Sequence, residues 1–352
     1  MGMLARTAYQ AAHLLGVTAL MRAFQGPRVP VLMYHGVSSK RIGGVLNCEK
    51  KHVAAADLER HLRFLKSAYQ VIPLSRYGAI LRGGGAVPRG VAVVTFDDGY
   101  ENNFSHAFPL LKKYGVPATV FVTADFIEKG EPLWVDRLAS AFAATTLPAW
   151  ADSSSGTLYP LGDEAEKVAA YLKIKADLKR LPPRDHAPAL ESLLKALGAG
   201  PDLPRLFAPL RPEQVRELAA SGLVEIGSHC CRHMALTNLD PDEARREVTA
   251  SRERVAALSG RPVECFSYPN GDTNPLVAGM VEAAGYSCAV AEGLGLDRAG
   301  KGSRFAVARL ALKEDDDEAA VAATLCGLRS LGMSAARAAR IGPLPAVPGG
   351  GR

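Results

Sequence analysis

The stretch AVVTFDDGYENN, residues 92–103, places two carboxylates side by side directly after an apolar run. The run VAVVTF, residues 91–96, lacks polar alternation, which predicts a strand that is buried on both faces of a parallel sheet. Side chains alternate along a strand, so Asp97 and Asp98 can share one site only if the backbone bends there. Gly99 permits such a bend, because glycine adopts backbone conformations that other residues avoid.

Similar apolar runs recur along the chain and alternate with segments of helical periodicity. The other predicted strands cover residues 29–37, 117–123, 223–229, 264–269, 287–292 and 304–312. This alternation is typical of a parallel sheet covered by helices, either open or closed into a barrel. Candidate functional residues follow three of these strands. A (β/α) barrel assembles its active site at the carboxyl ends of its strands, so we favour the barrel.

Three segments lie outside this pattern and give the domain organisation. Residues 131–210 lack β-rich runs, which predicts a helical insertion into a catalytic domain of residues 29–330, either as a lid or as a surface elaboration. Residues 1–28 predict an amphipathic helix that packs on the domain or lies on a membrane surface. Its apolar stretch is shorter than the ~20 residues that span a bilayer. Residues 331–352 have the composition of a disordered tail.

Composition excludes some classes of function. With 352 residues and 48% hydrophobic content, the chain can bury a large core. Its net charge of +6 is scattered, without the dense basic run of a nucleic-acid groove, so we expect no nucleic-acid partner. The six cysteines lack the spacing of a disulfide framework, and no signal-peptide cleavage motif is evident. We therefore expect a cytoplasmic protein with peripheral membrane contact as an option, and secretion is less favoured.

A second group of candidate ligands lies in EIGSHCCRHMAL, residues 225–236. The spacing of His229 and His233 is typical of two imidazoles on one face of a helical turn. Two imidazoles and one carboxylate form a three-ligand site for a divalent metal, with open positions for water. The cation would also offset the repulsion between Asp97 and Asp98. In the alternative interpretation, one aspartate caps the next helix and the other is solvated.

Two further features accompany these residues. Cys230 and Cys231 lie between the histidines and allow a thiolate–zinc alternative, but no C-x-x-C pair exists elsewhere, so we favour a packing role. The stretch FSYPNGD, residues 266–272, again ends an apolar run. Its proline and glycine predict a tight turn that can direct backbone N–H groups toward a developing oxyanion.

Together these motifs resemble the polysaccharide deacetylase family, also called the NodB-homology domain or carbohydrate esterase family 4. The matching motifs are TFDDG (95–99), H-x-x-x-H (229–233) and YPNG (268–271), and the similarity extends over most of residues 29–312. The resemblance implies an α/β fold, a distorted (β/α) barrel of about seven parallel strands. It also implies metal-dependent hydrolysis of N-acetyl, sometimes O-acetyl, groups, on an N-acetylated glycan or glycolipid.

The resemblance also implies a role for each matching residue. Asp97 matches the catalytic base. The residues that match the ligands of a divalent metal, usually zinc, are Asp98, His229 and His233. The residues of the third motif are Tyr268 and Pro269, which would shape the turn and contact substrate, and Asn270, whose backbone N–H would donate to the oxyanion.

The chain departs from the family pattern at positions that matter for the mechanism. The family often carries an arginine that orients the base, and this chain has Ser267 there, so we consider Arg309 as its replacement. The late leucine-x-x-histidine motif that supplies a general acid has no match, because no histidine follows His233. His35, at the end of the first predicted strand, is a candidate for approaching the site, and its neighbour Tyr34 is a candidate for binding substrate.

These departures leave two other functions open. One is a metal-dependent amidohydrolase that acts on a non-sugar amide. The other is a catalytically inactive carbohydrate-binding homologue that retains the metal for structure. The presence of Asp97 argues against the inactive protein, because a structural metal site would need only the three ligands.

Overall fold

The computed structural model describes residues 3–152, 155–200, 202–293, 295–298 and 302–331. The strands in these residues are β1 (Arg28–Val29), β2 (Val31–Tyr34), β3 (Gly36–Ser38), β4 (His52–Ala54), β5 (Gln70–Val71), β6 (Val91–Phe96), β7 (Ala118–Val122), β8 (Ala149–Ala151), β9 (Leu158–Pro160), β10 (Val224–Ser228), β11 (Cys265–Ser267), β12 (Cys288–Glu292), β13 (Asp297–Arg298) and β14 (Val307–Arg309). The α-helices are α1 (Met3–Leu14), α2 (Val17–Ala23), α3 (Ala55–Ala68), α4 (Leu74–Arg82), α5 (Phe108–Tyr114), α6 (Ala124–Lys129), α7 (Trp134–Ala144), α8 (Glu164–Leu178), α9 (Pro183–Ala196), α10 (Pro212–Ala220), α11 (Pro241–Ser259), α12 (Pro275–Ala283), α13 (Glu318–Leu325) and α14 (Leu328–Leu331).

A parallel barrel lies at the centre of the molecule. Seven strands pair in the order β2-β6-β7-β10-β11-β12-β14. The ring nearly closes because Leu310, directly after β14, forms a parallel bridge with Leu32 in β2. The Met33 N–H donates to the Leu310 carbonyl at 2.9 Å across this junction. The predicted (β/α) barrel of about seven strands is confirmed, and each of the seven predicted strands contributes one barrel strand.

The burial of the strands and helices explains why the sequence pattern predicts them. Every residue of β6 is buried, as expected for a strand with the barrel interior on one face and helices on the other. In α3 the helical spacing of Leu58, Leu62 and Leu65 places all three on the buried face, each 0% exposed. The α5 helix ends at Gly115, whose φ of 60° is the left-handed conformation that glycine supplies at helix ends.

The insertion of residues 131–210 contains more than helices. Besides α7, α8 and α9 it contains the antiparallel hairpin β8–β9, which we did not expect. Each of its strands has only three residues, too few to produce a visible alternation in the sequence. The hairpin is stabilised by Trp150 and Tyr159, which are directly paired and stack with their ring centroids 5.6 Å apart.

The N-terminal segment forms two helices instead of one. Gly16, with a φ of 74°, separates α1 from α2. The α1 helix packs against the start of α13, where the Asp317 carboxylate accepts hydrogen bonds from Arg6 and Gln10. Among the described helices, none combines the length and apolar character needed to cross a bilayer. Membrane contact stays a prediction, and the predicted tail lies outside the described residues from position 332 onward.

Candidate metal centre

Three predicted site residues converge at one rim of the barrel. Asp98 follows β6, and His229 and His233 follow β10, so parallel strands bring them to the same edge. All three residues are buried, and one ligand atom from each lies within 4.8 Å of the others. The structure therefore brings together the three metal ligands expected from the sequence.

The spacing of these atoms fits a small divalent cation. Asp98 Oδ1 lies 3.4 Å from His229 Nε2 and 3.3 Å from His233 Nε2. In a tetrahedral site with metal–ligand bonds of about 2.0–2.1 Å, neighbouring ligand atoms are about 3.3–3.4 Å apart. No described group forms a hydrogen bond with either carboxylate oxygen of Asp98. A buried carboxylate without donors is unfavourable, so a cation is the partner that this arrangement lacks.

The residues around His229 prepare it as a ligand. Its Nδ1 lies 2.8 Å from the carbonyl oxygen of Ser267, at the end of β11. A carbonyl can only accept a hydrogen bond, so Nδ1 carries the proton and Nε2 keeps its lone pair for a metal.

The backbone of the histidine loop, residues 229–233, differs from the helical turn that we expected. The loop is irregular, and Cys230 and His233 have φ angles of 64° and 56°. These left-handed conformations bring the imidazoles together in place of a helical face. Burial raises the pKa of the Cys230 thiol well above its usual range and that of Cys231 to about 11. Among the described residues, neither cysteine belongs to the group of candidate metal ligands, so a packing role is favoured over the thiolate–zinc alternative.

The bend after β6 begins one residue earlier than predicted. Asp98 itself has a φ of 75°, and Gly99 follows with a φ of 89°. Asp97 still belongs to the barrel ladder, since its N–H donates to the Tyr34 carbonyl at 2.9 Å. Adjacent carboxylates thus reach different partners because one residue continues the strand and the next one leaves it.

Asp97 is held by a buried, two-pronged ion pair with Arg309. The two guanidinium nitrogens Nη1 and Nη2 each lie 2.7 Å from one carboxylate oxygen. Ser267 Oγ lies 3.4 Å from both oxygens and accepts from Arg309 Nη2 at 3.1 Å. Burial alone would raise the pKa of Asp97, but the charge of Arg309 holds it below its usual value. The carboxylate is therefore charged at neutral pH, and the contact considered from the sequence is present.

The turn after β11 has the geometry of a candidate oxyanion site. Asn270 has a φ of 60° within the turn Pro269–Gly271. Within the turn, the N–H groups of Gly271 and Asp272 donate hydrogen bonds, whereas the Asn270 N–H does not. A Cβ on Gly271 would lie 2.7 Å from the backbone nitrogen of Glu292, so the close approach of β12 requires glycine here.

Three residues that we expected to bind substrate are buried instead. Tyr268 is 0% exposed, and its hydroxyl donates to the Phe305 carbonyl at 2.8 Å. Tyr34 is 2% exposed, with its hydroxyl 3.2 Å from His61 Nδ1. Pro269 is also buried. Their burial favours a role in shaping the rim and the turn, and direct substrate contact stays a prediction.

His35 lies at the end of β2, as predicted, and is half-buried. Burial lowers its pKa to about 4, although Asp98 and Asp97 oppose this shift. At neutral pH the imidazole is therefore uncharged and has no extra proton to give to a leaving amine. This low pKa disfavours the protonated form that a general acid needs, and the role of His35 in the reaction stays a prediction.

Glu247 in α11 is a residue that the sequence analysis missed, because nothing in the sequence connects it with the histidine loop. Its Oε2 accepts the Cys231 N–H at 3.0 Å and the Arg232 N–H at 3.3 Å. Its Oε1 accepts from the Arg232 guanidinium. One buried carboxylate therefore fixes the strained loop that carries both histidines.

We expect Glu247→Ala to lower metal affinity by about 10–100-fold, the usual effect of removing a group that positions metal ligands. Competition with a chromophoric chelator would measure it. Glu243→Ala is the matched control, because Glu243 bonds only the other end of Arg232 and not the loop backbone. Equal metal affinity in Glu247→Ala and the unaltered protein would contradict this positioning role.

Comparison with known proteins agrees with this geometry. The family model for polysaccharide deacetylase matches residues 84–289, more than half of the chain. YxkH of Bacillus subtilis (strain 168) is 33% identical over 106 residues, which cover 30% of this chain and only 35% of YxkH.

Solved structures show the same fold at low sequence identity. The Streptococcus pyogenes deacetylase PplD, in complex with acetate, has a TM-score of 0.56 and 16% identity, over 85% of this chain and 99% of that one. IcaB from Ammonifex degensii has a TM-score of 0.55 and 19% identity, over 86% and 98%. With the family model, the shared barrel and the Asp–His–His centre in agreement, the chain belongs to the polysaccharide deacetylase family.

Proposed function

We propose that this protein is a metal-dependent hydrolase that removes N-acetyl groups from an acetylated sugar and releases acetate. The observation that carries the proposal is the buried centre of Asp98, His229 and His233 next to an Asp97 carboxylate that Arg309 holds in one orientation. Membership of the polysaccharide deacetylase family supports the substrate class.

Each residue of the site has a task in this reaction. A divalent cation held by Asp98, His229 and His233 would supply a Lewis acid that polarises the acetamide carbonyl and acidifies a water molecule. Asp97 accepts the proton of the attacking water, and its ion pair with Arg309 keeps the accepting oxygens in place. The Asn270 N–H donates to the carbonyl oxygen as it becomes negative, a contribution of about 3 kcal/mol for donors of this kind.

The departing amine also needs a proton. Asp97 carries the proton that it accepted from the attacking water, so it is the group that can supply one. His35 is uncharged at neutral pH, as described above. Arg309 keeps the pKa of Asp97 low despite burial, so the carboxylic acid formed in the first step gives up its proton readily. In this proposal Asp97 serves as base first and as acid second.

Acetate release is the direct test of this function. We expect the purified protein to release acetate from N-acetylglucosamine oligomers or N-acetylglucosamine 1-phosphate, to lose this activity with a chelator and to regain it with Zn²⁺ or another divalent metal. Hydrolysis of simple amides without any acetylated sugar would identify an amidohydrolase instead. Sugar binding without hydrolysis of either substrate class would identify an inactive homologue.

A further inference from the structure

The α2 helix exposes its apolar side chains to solvent. Val17, Leu20 and Phe24 follow one another at intervals of three and four residues, so they share one face of the helix and its cap. Leu14 and Leu15 lie directly before it, at the end of α1. These five side chains are between 39% and 85% exposed, and we call them the apolar patch.

The polar side chains of the same helix face the protein. Thr18 is buried. The Arg22 guanidinium lies 5.6 Å from the centre of the Tyr69 ring, and Gln25 Nε2 donates to the Leu325 carbonyl at 2.9 Å. A surface helix normally directs its apolar side chains to the core and its polar side chains to water. In α2 this arrangement is reversed.

The apolar patch is one continuous surface and not a scatter of single side chains. Nine large apolar side chains are exposed among the described residues, and five of them lie within residues 14–24. No exposed residue between positions 14 and 24 is polar. An exposed apolar surface of this kind marks contact with another protein or with a membrane.

The charge of the two chain ends favours an anionic membrane. Residues 1–28 contain three arginines and no acidic residue, and so do residues 332–352. The chain has 42 basic and 36 acidic residues, so these six arginines equal its whole net charge of +6. The last described helices connect the two ends, because α13 packs on α1 and α2 and on the following α14.

This charge distinguishes the possible occupants of the apolar patch. A second copy of the chain, or the segment 332–352, would bring further positive charge to a basic segment. A lipid surface with anionic headgroups would instead combine an apolar interior with complementary charge.

Two exposed arginines next to the apolar patch are suited to anionic headgroups. The antiparallel pairing of β1 with β13 places Arg28, four residues after Phe24, directly opposite Arg298. Like charges in this position are unfavourable. The acid of this short ladder, Asp297, is buried and accepts from the Tyr77 hydroxyl. An anionic surface beside the two arginines would offset their repulsion.

The apolar patch lies toward the end of the barrel opposite the metal centre. Tyr69, which Arg22 contacts, directly precedes β5, and β5 pairs with the first two residues of β6. Asp98 follows the other end of β6. A membrane that contacts the apolar patch therefore leaves the catalytic rim free.

We propose that the protein docks on an anionic lipid surface. The apolar patch enters the headgroup region, and Arg28 and Arg298 contact lipid phosphates. The protein then lies on the membrane without spanning it. This inference does not depend on the proposed enzymatic activity.

Co-sedimentation of the full chain with lipid vesicles tests the proposal. We expect binding to vesicles of phosphatidylcholine and phosphatidylglycerol to be at least about tenfold tighter than binding to phosphatidylcholine alone. Added salt should weaken it, because salt screens exposed charges. The variant Arg28→Gln/Arg298→Gln should lose most of this preference for anionic lipid.

The contribution of the apolar patch is tested with a second pair of substitutions. Leu20→Gln/Phe24→Gln should lower the affinity for anionic vesicles at least about tenfold, because two apolar side chains no longer leave water. Leu158→Gln/Leu276→Gln is the matched control and should bind as the unaltered protein does. Its leucines are 63% and 57% exposed, close to the 60% of Leu20, but lie on other elements. Thermal unfolding should show that both variants are folded.

Several results would overturn the proposal. They are no binding to either kind of vesicle, equal binding to both kinds, and equal binding by Leu20→Gln/Phe24→Gln and the unaltered protein. A dimer in solution that Leu20→Gln/Phe24→Gln separates, but the control does not, would show that a second copy covers the apolar patch instead. Vesicle binding only after removal of residues 332–352 would assign the apolar patch to that segment.

Discussion

Replacement of Asp97 by asparagine should lower the rate of acetate release by about two to four orders of magnitude and leave the bound metal in place. The amide cannot accept the proton of the attacking water, whereas the ligands Asp98, His229 and His233 remain. Steady-state kinetics and metal analysis of the same preparation would check both parts. Because Arg309 then faces an uncharged partner, circular dichroism should first show that the variant is folded.

Asp98→Asn is the matched comparison, since it changes the adjacent carboxylate in the same way. It should lose bound metal and activity together, because Asp98 supplies the anionic ligand of the centre. If Asp97→Asn lost metal as completely as Asp98→Asn, or kept full turnover, the separate roles of the two aspartates would be refuted.

Replacement of Arg309 by methionine should lower the free energy of unfolding by about 3–5 kcal/mol, the usual range when one partner of a buried ion pair is removed. Arg309 and Asp97 are 1% and 2% exposed, so the remaining carboxylate would stay buried without its cation. Urea denaturation would measure the change. The pair Arg137–Glu191 is the control, because it has the same two-pronged geometry on exposed side chains. Arg137→Met should lower the free energy by less than about 1 kcal/mol.

A double-mutant cycle and the pH dependence sharpen this prediction. The variant Asp97→Asn/Arg309→Met should be more stable than the sum of the single effects indicates, because neither charge is left unpaired. The folded-state pKa of Asp97 is below its usual value, so the ion pair stabilises the protein at neutral pH and this stabilisation is lost as the pH falls. Equal stability of Arg309→Met and Arg137→Met at pH 7 would contradict this account.

The fold was predictable where local pattern and burial coincide. The run 91–96 is a wholly buried strand, so its lack of polar alternation indicated its environment directly. The hairpin β8–β9 was not predictable, because three-residue strands do not establish a period. The histidine spacing predicted two candidate ligands that the structure does bring together with Asp98, but in an irregular loop and not on a helical turn. The loop in which Cys230 and His233 adopt left-handed conformations is hydrogen-bonded to Glu247, which lies 16 residues beyond Cys231 on another element.

The sequence by itself determined the seven barrel strands and the site residues at their ends, because strand burial and metal ligation each require residue types that are visible locally. Only the tertiary structure decided which distant residues complete the site. Arg309 reaches Asp97 across 212 residues because β14 closes the barrel next to β2, and Lys175 reaches Glu49 across 126 residues because α8 packs against the segment Val45–Asn47. Such contacts depend on how whole elements pack against one another, and no period or spacing within a single segment encodes that packing.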